Sequence, residues 1–139
     1  MADIAGEIGS KEAWAILEKE PKAQLVDVRT EPEWRFAGFP DLGSLGRRAV
    51  ALSWQSYPAM QVNPHFVAEL QRAGLNRDAP LLFICRSGAR SLAAARLAAE
   101  AGFTRCYNVK DGFEGPRDGD GHRARISGWK QANLPWVQE

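Results

Sequence analysis

The residues best suited to chemistry are Cys85 and the run that follows it, Arg86, Ser87, Gly88, Ala89, Arg90 and Ser91. One sulfur atom is set among two guanidinium groups, two hydroxyls and a glycine. Sulfur attacks as the thiolate, and cations together with backbone N–H groups favour that form over the thiol. The chemistry open to such a set is covalent catalysis, with sulfur attacking an anionic substrate drawn in by the arginines. The bland alternative is a cysteine packed as a small apolar residue. Arginines flanking a glycine turn are a poor setting for inert packing, so the nucleophile is the expected role.

The elements that must position this run are legible on either side of it. Leu81 to Ile84 is a short apolar run entered from Pro80, the pattern of a strand buried in a parallel sheet. Ser91 to Ala101 is alanine-rich and reads as a helix. Cys85 then lies where a strand ends and a helix begins. In open α/β sheets ligands bind at that edge, and the helix N-terminus there presents roughly half a positive charge to an anion.

Other parts of the chain carry a resemblance. The run Cys85 to Ser91 resembles the active-site loop of the rhodanese superfamily. Leu25-Val26-Asp27-Val28-Arg29 with Glu33-Trp34 is similar to that family's first long strand and the helix entry after it. Gly102-Phe103, Tyr107-Asn108-Val109, Gly112-Phe113, Trp129 and Leu134-Pro135 are similar to its closing strand, glycine turn and terminal segment. The resemblance implies an α/β domain, a mostly parallel central sheet flanked by helices on both faces, over residues 1–139. It implies Cys85 as the nucleophile of a sulfurtransferase that moves sulfane sulfur from thiosulfate or a persulfide donor to cyanide or a thiol. Arg86, Ser87, Gly88, Ala89, Arg90 and Ser91 would form the substrate cradle, with Asp27 and Arg29 as structural support. The stretch Cys85 to Arg90 matches the shorter loop of the sulfurtransferases, whereas related dual-specificity phosphatases carry one residue more. The segment Gly38-Phe39-Pro40-Asp41 departs from the family by lacking a histidine common there. A phosphatase or arsenate reductase on the same fold, and a non-catalytic binding or sulfur-carrier module, remain as rivals.

Composition is consistent with this class. The chain has 139 residues, 45% hydrophobic and 25% charged, enough to bury a core in one domain. A net charge of +1 gives no argument for nucleic acid or an anionic membrane as a partner. No apolar run approaches the ~20 residues that cross a bilayer, and Met1 to Ser10 lack a leader pattern, so a cytoplasmic location is expected. Two cysteines make no disulfide framework. No nucleotide-binding or metal-ligand spacing is present, so no cofactor is expected. The expected partners are a small sulfur-containing anion or persulfide donor and a thiol or protein acceptor, with the chain a monomer or weak dimer.

The remaining segments read as scaffold. Expected are a strand around Glu7 and Ile8, a helix over Lys11 to Glu20 with Ser10 as its N-cap, and a strand over Gln24 to Val28. Asp27 ends that strand, where a buried carboxylate must be paired. A capped helix follows Thr30, then a short strand over Ala49 to Trp54. Gln55 to Asn63 reads as an irregular loop carrying Tyr57, Pro58 and Met60, which with Trp54 form an apolar cluster that either walls the mouth of the pocket or, the favoured reading, caps the core. Asn63 caps a helix with Pro64 at its first position, running to Ala73 and closed by Gly74, and His65 lies in its first turn as a surface residue. Arg105 to Val109 reads as the last buried strand, placing Cys106 in the core. Arg96 and Glu100 are spaced for an outward ion pair. The Gly-rich stretch from Lys110 to Arg125 reads as a mobile flap or docking loop at the same edge as Cys85. Its Asp118 and Asp120 lack the further ligands of a calcium loop. Ser127 to Ala132 reads as a short helix around Trp129.

Overall fold

The computed structural model describes residues 3–138. In chain order the elements are β1 (Gly6–Ile8), α1 (Ser10–Lys19), β2 (Gln24–Asp27), α2 (Glu31–Phe36), β3 (Phe39–Pro40), a 3-10 turn (Gly43–Leu45), β4 (Val50–Ala51), β5 (Gln55–Ser56), β6 (Gln61–Val62), α3 (Phe66–Arg72), β7 (Leu81–Ile84), α4 (Ala89–Glu100), β8 (Cys106–Val109) and β9 (Trp136–Val137). The central sheet has strand order β1-β8-β7-β2-β4, and all its pairings are parallel. Two small antiparallel ribbons accompany it, β3 with β9 and β5 with β6.

β7 sits at the centre, and all its residues are buried. Its side chains alternate between the faces, as strand geometry requires. Leu81 and Phe83 join Val26, Phe66, Leu70 and the alanines of α4 on one side. Leu82 and Ile84 join Leu25, Leu17, Phe113 and Trp129 on the other. An apolar run without polar alternation is what a strand covered on both faces demands. In α4, Ala94, Ala95, Ala98 and Ala99 face the sheet, and their small side chains let the helix lie close to it.

Several expectations change in detail. α4 starts at Ala89, two residues before the expected Ser91, because Gly88 takes the left-handed conformation that opens it. Ser10 does not cap α1; it is buried, and its hydroxyl donates to Asp111 Oδ1 at 2.8 Å. The strand expected over Ala49 to Trp54 is reduced to β4 at the sheet edge, with a pairing partner on one side only. The stretch from Gln55 to Asn63 contains the β5–β6 hairpin. Trp54 packs edge-on against Phe66 at 5.1 Å, whereas Tyr57 and Met60 are exposed. Asn63 Oδ1 accepts the His65 N–H ahead of α3, which begins only at Phe66. Arg96 and Glu100 are not among the ion pairs of the described residues. Residues 127–132 form turns, interrupted by Gly128 at φ +113°. No helix is long and apolar enough to cross a membrane among the described residues.

Candidate active site

β7 delivers Cys85 to the carboxyl edge of the sheet, and the turn Arg86–Gly88 reverses the chain into α4. Gly88 is required at φ +108°, where a Cβ would lie 2.3 Å from the Lys110 carbonyl oxygen. The same turn aims the Gly88 N–H at Cys85 Sγ, 3.1 Å away. Ser91 Oγ, one turn into the helix, lies 3.2 Å from the sulfur. The N–H groups of Arg86, Ser87, Ala89, Arg90 and Ser91 have no hydrogen-bond acceptor among the described residues, and the first helical N–H taken up is that of Leu92, by Gly88 O. Helix starts leave such donors free, and the loop that carries the sulfur therefore holds several N–H groups available to an anion. Cys85 itself is 1% exposed, while Arg86, Ser87 and Ala89 are exposed around it.

A second loop braces the first. Phe113 N–H donates to Cys85 O at 2.8 Å, and the N–H groups of Glu114 and Gly115 both donate to Arg86 O at 3.1 Å. The approach is so close that a Cβ on Gly112 would lie 2.3 Å from Arg86 O and 2.7 Å from Ser87 N. The Gly-rich stretch after Lys110 is thus at the expected edge, but its first residues hold the cysteine loop in place and are no free flap. Arg123 donates from Nη1 to Gly115 O at 2.8 Å. Burial, and then the charges of Arg86 and Arg117, push its guanidinium down from its ordinary value. The three cations lie near one another, with Glu114 partly offsetting them, and Arg86 follows Cys85 directly in the chain, so their field favours anions near the cysteine loop.

Farther along, Asp118, Asp120 and His122 bring possible metal-ligand atoms within 4.8 Å of one another. Asp118 Oδ1 already accepts the N–H groups of Asp120 and His122 at 2.9 Å each, and Oδ2 faces Arg125 at 3.6 Å. The cluster closes its own turn.

Arg90 differs from the free cation expected. Its Nη1 and Nη2 are 2.7 and 2.8 Å from Glu33 Oε1 and Oε2, a bidentate pair that ties α4 to α2. Glu33 also completes a capping box with Thr30. Burial by itself pushes the Glu33 carboxyl up, but the bonds and charge of Arg90, with those of Thr30, prevail and hold it at about 2. The Glu33 bonds, against burial, raise Arg90 in turn. Since the folded value of Glu33 lies below its ordinary 4.5, the pair's contribution to stability is complete above that pH and drains as pH falls toward 2. Glu33→Gln is expected to flatten the acid limb of a Tm-versus-pH curve between those values. An acid limb identical to that of the wild type would show that the pair contributes nothing.

Asp27 and Arg29 lie at the end of β2, beside β7, and both are completely buried. Arg29 Nη2 is 2.7 Å from Asp27 Oδ2 and 2.8 Å from Gly38 O. Its guanidinium lies 4.2 Å over the Phe113 ring, whose backbone N–H holds Cys85 O. The pair is thus two steps from the sulfur and does not touch it in these contacts. Cys106 lies in the core, where burial pushes its thiol up to about 12, so it stays protonated at neutral pH.

Two groups in the site were not singled out from sequence. Asn108 Oδ1 lies 2.5 Å from Ser91 Oγ. Asp111 accepts from Ser10 Oγ and from Gly128 N, fixing the loop that braces the cysteine. Both act across long sequence separations, and no local pattern marks them. A separate cavity of about 570 Å³ lies between α2 and β4, bordered by Trp34, Arg48 and Val137. Cys85 is not on its wall, and the chemistry of the cysteine loop outweighs cavity size in locating the site.

Known proteins share this architecture. The family model described as the STR4 middle domain matches residues 5–139. The crystal structure of Rv0390 from M. tuberculosis superposes with a TM-score of 0.91 at 50% identity, covering 99% of this chain and 100% of that one. An uncharacterized protein, RP600, of Rickettsia prowazekii is 38% identical over 130 residues, 93% of this chain and 94% of its own. Rhodanese-like domain-containing protein 4 of Arabidopsis thaliana chloroplasts is 30% identical over 93% of this chain and 25% of its own. The protein named thiosulfate sulfurtransferase GlpE of Actinobacillus pleuropneumoniae is 27% identical, over 97% of this chain and 95% of its own. An all-parallel sheet carrying a cysteine loop at its carboxyl edge, matched over nearly its whole length, makes this chain a member of the STR4 middle-domain family within the rhodanese-like superfamily.

Proposed function

We propose that this protein is a sulfurtransferase that carries sulfane sulfur as a persulfide on Cys85. The observation that carries the reading is the Cys85 sulfur held 3.1 Å from the Gly88 N–H, at the head of a loop whose other N–H groups have no acceptor among the described residues. The similarity to a relative named thiosulfate sulfurtransferase supports the choice of sulfur chemistry. In the first half-reaction the Cys85 thiolate attacks the outer sulfur of thiosulfate. The S–S bond to the sulfonate breaks, sulfite leaves with its electron pair, and Cys85 retains a terminal sulfur as the persulfide anion. The N–H groups from Arg86 to Ser91 hold that negative charge without having to reorganise. In the second, a thiol or cyanide attacks the terminal sulfur and the Cys85 thiolate is the leaving group. Arg86, with Arg117 and Arg123 beside it, draws the anionic donor, while Arg90 orients the loop through Glu33. A reducing compartment such as the cytoplasm suits a working thiolate, and no partner beyond donor and acceptor is needed for either step.

The test is the intact mass of the purified protein after thiosulfate, removal of excess donor and reaction with cyanide. The expected result is a gain of one sulfur, about 32 mass units, that cyanide then removes. Cys106→Ser should load equally. Loading that needs Cys106 and not Cys85 would overturn the assignment. Failure to load from thiosulfate or polysulfide, together with Cys85-dependent hydrolysis of a phosphate ester, would move the protein to the phosphatase class.

A further inference from the structure

We infer that Asn108 is a positioning residue that holds the Ser91 hydroxyl proton away from the Cys85 sulfur. The inference rests on Cys85 being the working sulfur of the proposed function. Asn108 lies on β8, opposite Glu7 of β1 in the register, and is 1% exposed. Its Nδ2 donates to Glu7 Oε1 at 3.0 Å and to Gly88 O at 3.1 Å. Both partners are acceptors, so turning the amide over would set oxygen against oxygen twice, and only one orientation satisfies the group. Asn108 Oδ1 therefore faces Ser91 Oγ at 2.5 Å. An amide oxygen carries no proton, so at that distance the shared proton belongs to Ser91 and points to Asn108.

A serine hydroxyl has one proton. The other contacts of Ser91 Oγ, to Cys85 Sγ at 3.2 Å and Gly88 O at 3.2 Å, are longer and are left without it. Ser91 then presents a lone pair to sulfur and accepts the Cys85 S–H. Ser91, expected in the substrate cradle, thus accepts from the sulfur in the resting protein. For Ser91 to donate to a thiolate or persulfide it must rotate and give up Asn108. Glu7, across the outer strand pair, sets how firmly the amide is held, so the protonation of a buried nucleophile depends on a residue at the sheet edge.

The test is alkylation of the reduced full chain by iodoacetamide across pH, in a Cys106→Ser background. The charged groups around Cys85 are Arg90 paired with Glu33 on α4 and α2, the Asp27–Arg29 pair from β2, Arg86 on its own loop with Arg117, Arg123 and Glu114 of the bracing loop near it, and Glu7 beyond Asn108. Asn108→Ala changes none of these charges. It frees the Ser91 proton for the thiolate, so the reactivity curve should move to lower pH, with roughly fivefold faster alkylation on its acid side, the worth of one hydrogen bond. With Ser91→Ala also in place that acceleration should vanish. No acceleration, or the same acceleration without Ser91, overturns the inference. A measurement on the wild type stands if the variant fails to fold: neutron diffraction of the reduced protein should place the Ser91 deuterium on the line to Asn108 Oδ1. A deuterium directed at Sγ or at Gly88 O overturns it. These readouts do not need sulfur transfer, so a protein that never loads sulfur would refute the proposed function and leave the hydrogen-bond assignment to be judged by itself.

Discussion

Cys85→Ser is expected to abolish sulfur loading and lower thiosulfate:cyanide transfer by at least about a thousandfold, while leaving the fold intact. The two halves of this expectation have separate physical origins. Serine is close to isosteric, and its Oγ can accept the Gly88 N–H that now reaches Sγ at 3.1 Å and keep contact with Ser91 Oγ. The backbone bonds that hold the loop, from Phe113 to Cys85 O and from Glu114 and Gly115 to Arg86 O, do not involve the side chain. Thermal unfolding should therefore shift by no more than a degree or two, as for a substitution worth less than about 0.5 kcal/mol. The chemistry is a different matter. A hydroxyl is not ionised at neutral pH and cannot form or release a persulfide, so no residual route through this position exists. The other cysteine, Cys106, is buried with its thiol held at about 12 and cannot substitute as a nucleophile. Steady-state transfer assays with melting curves on the same samples check both halves. Activity within tenfold of wild type in a folded Cys85→Ser protein would remove the covalent mechanism.

The parts of the site that were legible in the sequence are those fixed by short-range patterns. An apolar run ending in Cys85 and followed by Gly88 and an alanine-rich stretch dictates strand, turn and helix, and β7 and α4 formed close to those limits. Asp27 had to be paired because it ended a buried strand, and Arg29 was near enough in the chain to be the partner. What was not legible depends on which strands become neighbours. Glu7 and Asn108 stand opposite each other only because β1 and β8 pair in parallel, and Ser10 reaches Asp111 by the same adjacency. Ser10 has the local features of an N-cap, yet a long-range acceptor won its hydroxyl. Arg90 looked like a free cation because its position in the loop says nothing of Glu33, which α2 brings to it. The start of the flap expected after Lys110 was misplaced for a related reason. Its glycines suggested mobility, whereas Gly112 is there to let two backbones touch, as the 2.3 Å approach of a Cβ to Arg86 O makes plain.

Removing one partner of the buried Asp27–Arg29 pair is expected to produce the largest loss of stability of any single side-chain change near the site. Asp27 accepts from Arg29 Nε and Nη2 and from the Arg29 backbone N–H, and both side chains are completely buried. Asp27→Ala leaves a guanidinium in the core whose Nη1 already has no hydrogen-bond partner among the described residues, with only the neutral Gly38 O and Phe113 ring against it. Breaking such a pair costs about 3–5 kcal/mol, set against a total of about 5–15 kcal/mol for a domain. For a chain of this size the midpoint of thermal unfolding should fall by roughly 10–20 °C. The damage should also reach the sulfur, because Arg29 links Gly38 O to the Phe113 ring and Phe113 N–H holds Cys85 O. The paired substitution Asp27→Leu with Arg29→Met separates structure from catalysis. Removing both charges and filling the space with apolar atoms is commonly neutral or stabilising, so the double variant should recover most of the lost midpoint. If it also loads sulfur on Cys85 at a rate near that of the wild type, the pair is scaffold alone. If it melts normally but loads at least a hundredfold more slowly, the Arg29 charge assists the reaction at Cys85, and the support assigned to this pair extends to the chemistry.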